Sequence, residues 1–137
     1  MPLVSILMPV RDDLRTLPDC IKSIQKQSLK DWELVAVDDG SSDGSGEFLL
    51  ETAAKDSRIR VLRERPRGIV AALNSGLAAC AGSYVARMDA DDRMRPERLE
   101  TQFAFLQRET QVDFCGSRVE PFMEEGPVSE NVQRYHD

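Results

Sequence analysis

A chain of 137 residues with 41% hydrophobic content has the length of one ordinary domain and enough apolar material for a core, which excludes wholesale disorder. Its 24 acidic against 18 basic side chains leave a formal charge of −6, the wrong sign for a protein that holds nucleic acid by neutralising phosphates. Three cysteines, Cys20, Cys80 and Cys115, lie far apart with no C-x-x-C and one histidine, His136, so zinc and disulfide frameworks give way to small buried thiols in a reducing compartment.

Residues 3–10, LVSILMPV, are apolar on both faces and stop just past Pro9, the mark of a buried strand. Arg11, Asp12 and Asp13 then form a loop. Pro18 suits a first helical turn, and Leu17, Cys20, Ile21 and Ile24 recur at helical spacing, which predicts a helix over about 17–27. Residues 33–37, ELVAV, form a second apolar run that ends in Asp38 and Asp39, with glycines at 40, 44 and 46 giving the following turn its freedom. Phe48, Leu49, Thr52 and Ala53 suggest a short helix. Residues 58–63, RIRVLR, alternate charged and apolar side chains as a half-exposed strand near a sheet edge does. Residues 68–81 form a helix with an expected apolar stripe of Ile69, Ala72, Leu73, Leu77 and Cys80, and their small side chains would let it lie close to the sheet.

Residues 83–92, SYVARMDADD, run a short strand straight into Asp89, Asp91 and Asp92. Three carboxylates this close repel one another, and a divalent cation offsets that cost. If the backbone stays extended, Asp89 and Asp91 point to the same side with Cα atoms roughly 6.5 Å apart. That spacing suits one direct ligand to Mg²⁺ or Mn²⁺, Asp91, and one helper, Asp89. The same acids also suit a turn that caps the helix starting near Pro96. That helix runs to about Glu109 with Leu99, Phe103 and Leu106 as its stripe, residues 112–119 read as a fifth strand, and the polar run from 120 reads as linker or frayed end.

Strands alternating with helices imply an α/β fold, a mainly parallel open sheet with helices on both faces. Ligands in such sheets bind beyond the carboxyl ends of the strands, where strand order reverses. With strand order three, two, one, four, the acids after strands one, two and four meet on one rim. No run approaches the roughly 18 apolar residues that cross a bilayer, and no signal-peptide layout opens the chain. The expected location is the cytoplasm, at most peripheral to the inner face of the membrane.

The ordered set VSILMPVRD, VDDGSSDGS, RGIVAALNSGL, GSYVARMDADD and RMRPERLETQ, from about residue 4 to 102, resembles the inverting nucleotide-sugar glycosyltransferases of family 2, of GT-A fold. The linked set is specific, although DxD alone is weak. Arg11 and Asp12 depart from it, standing where the family often has a Tyr-Asn or similar pair. The resemblance implies a Rossmann-like nucleotide-sugar-binding domain over residues 1–119, with 120–137 a linker or the frayed start of an acceptor-binding part. It implies that Asp39 accepts a hydrogen bond from the nucleobase, that Pro9, Val10 and Arg11 line the same pocket, and that Asp89 lies near ribose or sugar hydroxyls. Asp91 would bind the Mn²⁺ or Mg²⁺ that bridges the two phosphates, and Arg67 could add positive charge nearby. A carboxylate reads the N3–H of uracil or the N1–H and N2–H of guanine alike; UDP is expected ahead of GDP or dTDP.

Inverting transfer also needs a base to take the proton of the acceptor hydroxyl. In the family that base is a carboxylate well downstream of DxD. Glu120, Glu124, Glu125, Glu130 and Asp137 are available here, but none stands in a matching motif, so the catalytic base is expected beyond residue 137. The chain therefore reads as the donor-binding half of a longer hexosyltransferase of polysaccharide biosynthesis, with a carbohydrate or lipid-linked acceptor and little activity alone. The alternative is a catalytically inactive GT-A-like nucleotide-binding or interaction domain. A phosphotransfer site would want a lysine near the end of strand one, a nucleotidyltransferase a glycine-rich basic loop there, and a dinucleotide site G-x-G-x-x-G. None is present.

Overall fold

The computed structural model describes residues 1–123, and the expectations for Glu124, Glu125, Glu130 and Asp137 fall outside them. The chain divides into two units, residues 1–101 and 102–137. The first holds a four-stranded sheet in the order β3-β2-β1-β4, built from β1 (Val4–Val10), β2 (Trp32–Asp38), β3 (Ile59–Arg63) and β4 (Tyr84–Arg87). Every pairing is parallel. The continuous apolar runs belong to the two central strands, whose side chains are covered on both faces, whereas the alternating run belongs to edge strand β3.

Between the strands lie α1 (Leu17–Gln25), α2 (Ser45–Ala53) and α3 (Ile69–Ala79), with α4 (Arg98–Arg108) after β4. One sheet face, Val4, Ile6, Met8 and Val10 with Trp32, Leu34 and Ala36, packs with Leu17, Cys20, Ile21 and Ile24 of α1, Leu49 of α2 and Leu99 of α4. Each valine, leucine, isoleucine or methionine among them contributes on the order of 1.5–3 kcal/mol when taken out of water. Helix α1 stops two residues sooner than its periodicity predicts. Gln27 leaves the helix and is fully buried. Its amide then bonds backbone groups elsewhere, as described below.

The opposite face, Leu7 with Val35 and Val37, is covered by α3. The expected stripe on α3 holds at Ala72 and fails at Ile69 and Leu77. Ala72 and Gly76 are the buried positions, while Ile69 and Leu77 are each 53% exposed. The reason is close approach: a Cβ at Gly76 would run into Leu7 Cδ1 and Val37 Cγ2, so the smallest side chains face the sheet and the larger ones are pushed to the flanks. The expectation that small residues bring this helix close to the sheet holds.

The predicted fifth strand does not form. Residues 112–119 lie outside the helices and strands of the described residues, and Phe114 is 86% exposed. Apolar composition alone does not make a strand, because strand preference is a matter of cross-strand packing and burial. No partner strand lies beside this segment among the described residues. Among those residues no helix is long and apolar enough to cross a membrane.

Candidate functional site

Consecutive strands β1, β2 and β3 step one way across the sheet, and β4 then returns to the other side of β1. The reversal places the loops after β1 and β4 side by side at the carboxyl rim, where ligands bind in sheets of this kind. What holds these loops is a set of short polar links. Asp12 Oδ1 accepts from the backbone N–H of Ser42 at 2.7 Å, and Ser41 Oγ accepts from the Asp12 N–H at 3.0 Å. Ser45 Oγ accepts from the Asp13 N–H at 3.0 Å, and Asp43 Oδ2 from the Leu14 N–H at 2.9 Å. These bonds tie the loop after β1 to the loop after β2. Asp12 holds a left-handed backbone, φ 55°, a conformation that aspartate tolerates better than most residues.

Asp38 and Asp39 divide the labour at the end of β2. Asp38 is buried, accepts from the Ser41 N–H at 2.9 Å and meets Arg63 Nε at 3.2 Å. It is therefore structural. Gly46 makes room for this pair, because a Cβ there would collide with Asp38 Oδ2 and crowd Arg63. Asp39 is 5% exposed, and each of its carboxylate oxygens receives one backbone N–H, from Arg67 at 2.8 Å and from Gly68 at 2.9 Å. Its own N–H donates to Val10 O at 2.9 Å. Arg11 Nη1 donates to the Asp39 carbonyl at 2.6 Å and stands 3.6 Å from Oδ2. The side chain of Arg67 turns aside to Glu64 at 2.8 Å, so what Arg67 gives to Asp39 is its backbone N–H.

The third loop carries the acids of DADD. The backbone is not extended there: the chain turns at Ala90 and Asp91, and the Asp92 N–H closes back on Asp89 O at 3.2 Å. The same-side geometry expected for an extended chain is thus replaced by a turn. Helix α4 begins at Arg98, too far along for these acids to cap it. Asp89 is ion-paired with Arg87, whereas Asp91 is exposed. Thr16 Oγ1 donates to Ala90 O at 3.2 Å, and Cys20 Sγ approaches Asp89 O at 3.4 Å. Further along, Gln27 Nε2 donates to Arg95 O at 2.8 Å and Gln27 Oε1 accepts the Leu99 N–H at 3.1 Å. The acidic turn is thereby held to the start of α1, and the segment that follows it to Gln27 just beyond that helix.

The acids of these loops act on one another across the rim, Asp91 and Asp43 on Asp13. Partial burial raises the Asp13 carboxyl above its ordinary value, and the charges of Asp91, Asp43 and Asp12 push it the same way. Burial likewise raises Asp92, helped by Asp89 and Asp91. Burial pushes the Cys20 thiol up to about 12, so it is an inert core thiol rather than a nucleophile. Among the described residues no three His, Cys, Asp or Glu side chains form a ready metal cage. Mg²⁺ and Mn²⁺ ask for less, since one or two carboxylates plus substrate phosphates complete their shell, and an exposed Asp91 within an acidic field fits that requirement.

Of the residues singled out in the sequence, Val10, Arg11, Asp39 and Arg67 are joined by direct hydrogen bonds, with Pro9 one step back on β1. Asp89 and Asp91 belong to the neighbouring loop, connected through Thr16 rather than bonded to Asp39. Sequence reading missed Asp13, Thr16, Gln27 and the serines of the second loop. The serines stood inside VDDGSSDGS, and their polarity was the available signal; Gln27 offered none. A groove of about 290 Å³ lined by Asp19, Lys22, Ser23, Lys26, Arg93, Met94 and Pro96 lies along the outer side of α1. It excludes the rim acids, so the site is identified by its charge and hydrogen bonding rather than by concavity.

Comparison with known proteins agrees with this geometry. The model of the family described as glycosyl transferase family 2 matches residues 5–135. EpsE of Bacillus subtilis (strain 168), named as a glycosyltransferase, is 39% identical over 127 residues, covering 91% of this chain and 46% of EpsE. The crystal structure of S. aureus TarS 1-349 in complex with UDP superposes with a TM-score of 0.73 at 24% identity, covering 80% of this chain and 33% of TarS. The mannosyltransferase PcManGT from Pyrobaculum calidifontis, in complex with GDP-Man and Mn²⁺, gives 0.71 at 24% identity, covering 77% and 32%. The two structures establish the shared fold. The chain spans less than half the length of each of these relatives.

Proposed function

The chain belongs to glycosyl transferase family 2, and on that premise we propose that its carboxyl rim binds a nucleoside-diphosphate sugar together with a divalent cation. It is the donor half of an enzyme that transfers the sugar, with inversion, to an acceptor hydroxyl. The observation that carries this reading is the hydrogen-bonded run from Asp39 through the loop after β1 to Ala90, which gathers three strand ends at the switch point of the sheet.

Each group has a task that its surroundings support. Asp39, held in plane by two backbone N–H groups, accepts the N–H of the nucleobase, and Pro9, Val10 and Arg11 line that pocket. Asp91 holds Mn²⁺ or Mg²⁺ along with the phosphates. Asp89, steadied by Arg87, accepts a ribose or sugar hydroxyl. The ion, when bound, neutralises charge building on the departing diphosphate. UDP is placed ahead of GDP and dTDP, and the structural relatives with UDP and with GDP-Man support the nucleotide-sugar class without choosing the base. The acceptor is a carbohydrate or a lipid-linked carbohydrate. The base that takes its proton belongs to polypeptide beyond residue 137, so the chain alone transfers little. It acts in the cytoplasm or at the inner face of the membrane.

The test is a thermal-shift panel of UDP-, GDP- and dTDP-sugars, each with and without Mn²⁺. Ligand that binds the folded state alone raises Tm in proportion to the logarithm of its concentration over Kd. A rise that needs both nucleotide and Mn²⁺ supports the transferase reading. No rise with any pair overturns it in favour of an inactive relative that keeps only the fold.

A further inference from the structure

We propose that Arg11 is the specificity-determining partner of Asp39: together the two side chains read a nucleobase edge that offers an N–H beside a carbonyl. The inference rests on the nucleotide-sugar reading above and deepens it. Arg11 is anchored at three points, by its own N–H to Asp13 Oδ2 at 2.9 Å, by Nη1 to the Asp39 carbonyl at 2.6 Å and by Nε to Asp12 Oδ2 at 3.4 Å. Asp12 is in turn fixed by the Ser42 N–H. The guanidinium therefore has a defined place, next to the Asp39 carboxylate and 3.6 Å from Oδ2. Its Nη2 carries no hydrogen bond among the described residues, and each Asp39 oxygen, having taken one backbone N–H, keeps a further lone pair. A spare acceptor thus stands beside spare donors.

That pair is complementary to an imide edge. Uracil and thymine present N3–H flanked by carbonyls, and guanine presents N1–H flanked by O6. Adenine reverses both groups, and cytosine sets a ring-nitrogen lone pair against Asp39 whichever carbonyl is read and an amino group against Arg11 on its N4 side. Rejection then comes from the lone-pair repulsion at Asp39 and, where an amino group faces Arg11, from a second repulsive contact. With its side chain 49% exposed, Arg11 adds little to folding through its ion pair. Its value lies in where it holds its donors.

The experiment is titration calorimetry of the 137-residue chain with Mn²⁺ and UDP, GDP, CDP, ADP, 2-thio-UDP or 4-thio-UDP, repeated on Arg11→Ala with its ligand-free Tm as the folding control. Sulfur keeps the N3–H but accepts hydrogen bonds weakly, so the analogues remove the Arg11 contact without touching Asp39 or the protein. Wild type is expected to bind UDP and GDP about tenfold or more tighter than CDP and ADP, and to lose several-fold with one of the two thio analogues. Arg11→Ala should bind UDP about tenfold more weakly and show no thio effect. If wild type and Arg11→Ala bind UDP equally, or are equally sensitive to sulfur, the role of Arg11 is overturned while the nucleotide site stands. If wild type is indifferent to sulfur at both positions, the inference fails without reference to the variant. If wild type binds no nucleotide of any base, the proposed function fails with it.

Discussion

The amino end of the sheet pairs its acidic side chains with cations and donors, whereas the carboxyl end sets acids held low beside acids held high. At the amino end, Asp56 accepts from Arg58 Nε at 3.0 Å and Nη2 at 2.8 Å, and the same guanidinium lies over the Trp32 ring, 3.8 Å from its centroid. The Arg58 hydrogen bonds pull the Asp56 carboxyl down to about 2. Nearby, burial would raise Glu33, but hydrogen bonds from Ser5 and Ala81 and the charge of Arg60 bring it below its ordinary value. At the carboxyl end the Ser42 N–H lowers Asp12, and burial at Asp43 is outweighed by hydrogen bonds from Ser45 and Leu14 that lower it. Asp13 and Asp92, by contrast, are raised, by burial first and then by neighbouring acids, Asp91 among them in both cases. The amino end is satisfied within the chain. At the carboxyl end the acids around Asp13 and Asp92 still repel one another, and a cation there would relieve them.

Substitutions at the two ends should therefore separate binding from folding. The largest effect is expected for Asp39→Ala, which removes the base acceptor and orphans the Arg67 and Gly68 N–H groups. Nucleotide affinity should fall about a hundredfold with or without Mn²⁺, and Tm should drop as well. Calorimetry showing unchanged affinity would remove Asp39 from the base pocket. Asp91→Asn should cost about tenfold, and only in the Mn²⁺-dependent part of the affinity, with ligand-free Tm preserved. If the Mn²⁺ increment survives, the ion is held elsewhere.

Smaller effects concern stability alone. Gly46→Ala forces a methyl group against Asp38 and Arg63 and should cost about 1–3 kcal/mol in urea unfolding. Asp56→Asn at the opposite end should cost about 1 kcal/mol at neutral pH and leave nucleotide binding untouched. The sign of its pH dependence follows from the lowered carboxyl: the stabilisation is fully present above about pH 4 and is lost as pH falls toward about 2. Melting curves of wild type and variant should converge at that acid limit. A gap that persists there would mean that shape, rather than charge, holds this corner.

The sheet was legible in the sequence because parallel strands buried on both faces read as unbroken apolar runs. The strand order taken as a premise is the one found, and with it the acids that end each apolar run come to the carboxyl rim. On α3 the reading of Ala72 held, but Gly76 was missed and Ile69 and Leu77 were misplaced, because a helix that approaches closely buries its smallest side chains. Residues 112–119 looked like a strand by composition, yet pairing is a property of neighbours. The links made by Ser41, Ser42, Ser45 and Thr16 were invisible because they join residues 29 to 74 positions apart, and no periodicity encodes such a meeting.

Gln27 couples two properties usually measured apart. Its amide sits in the interior, yet the segment it grips leads directly out of the acidic turn. Any loosening of the packing around that amide would be felt at the surface as misplaced charge. A lesion in the core could thus present in an assay as poor metal affinity in a protein that still passes every test of being folded.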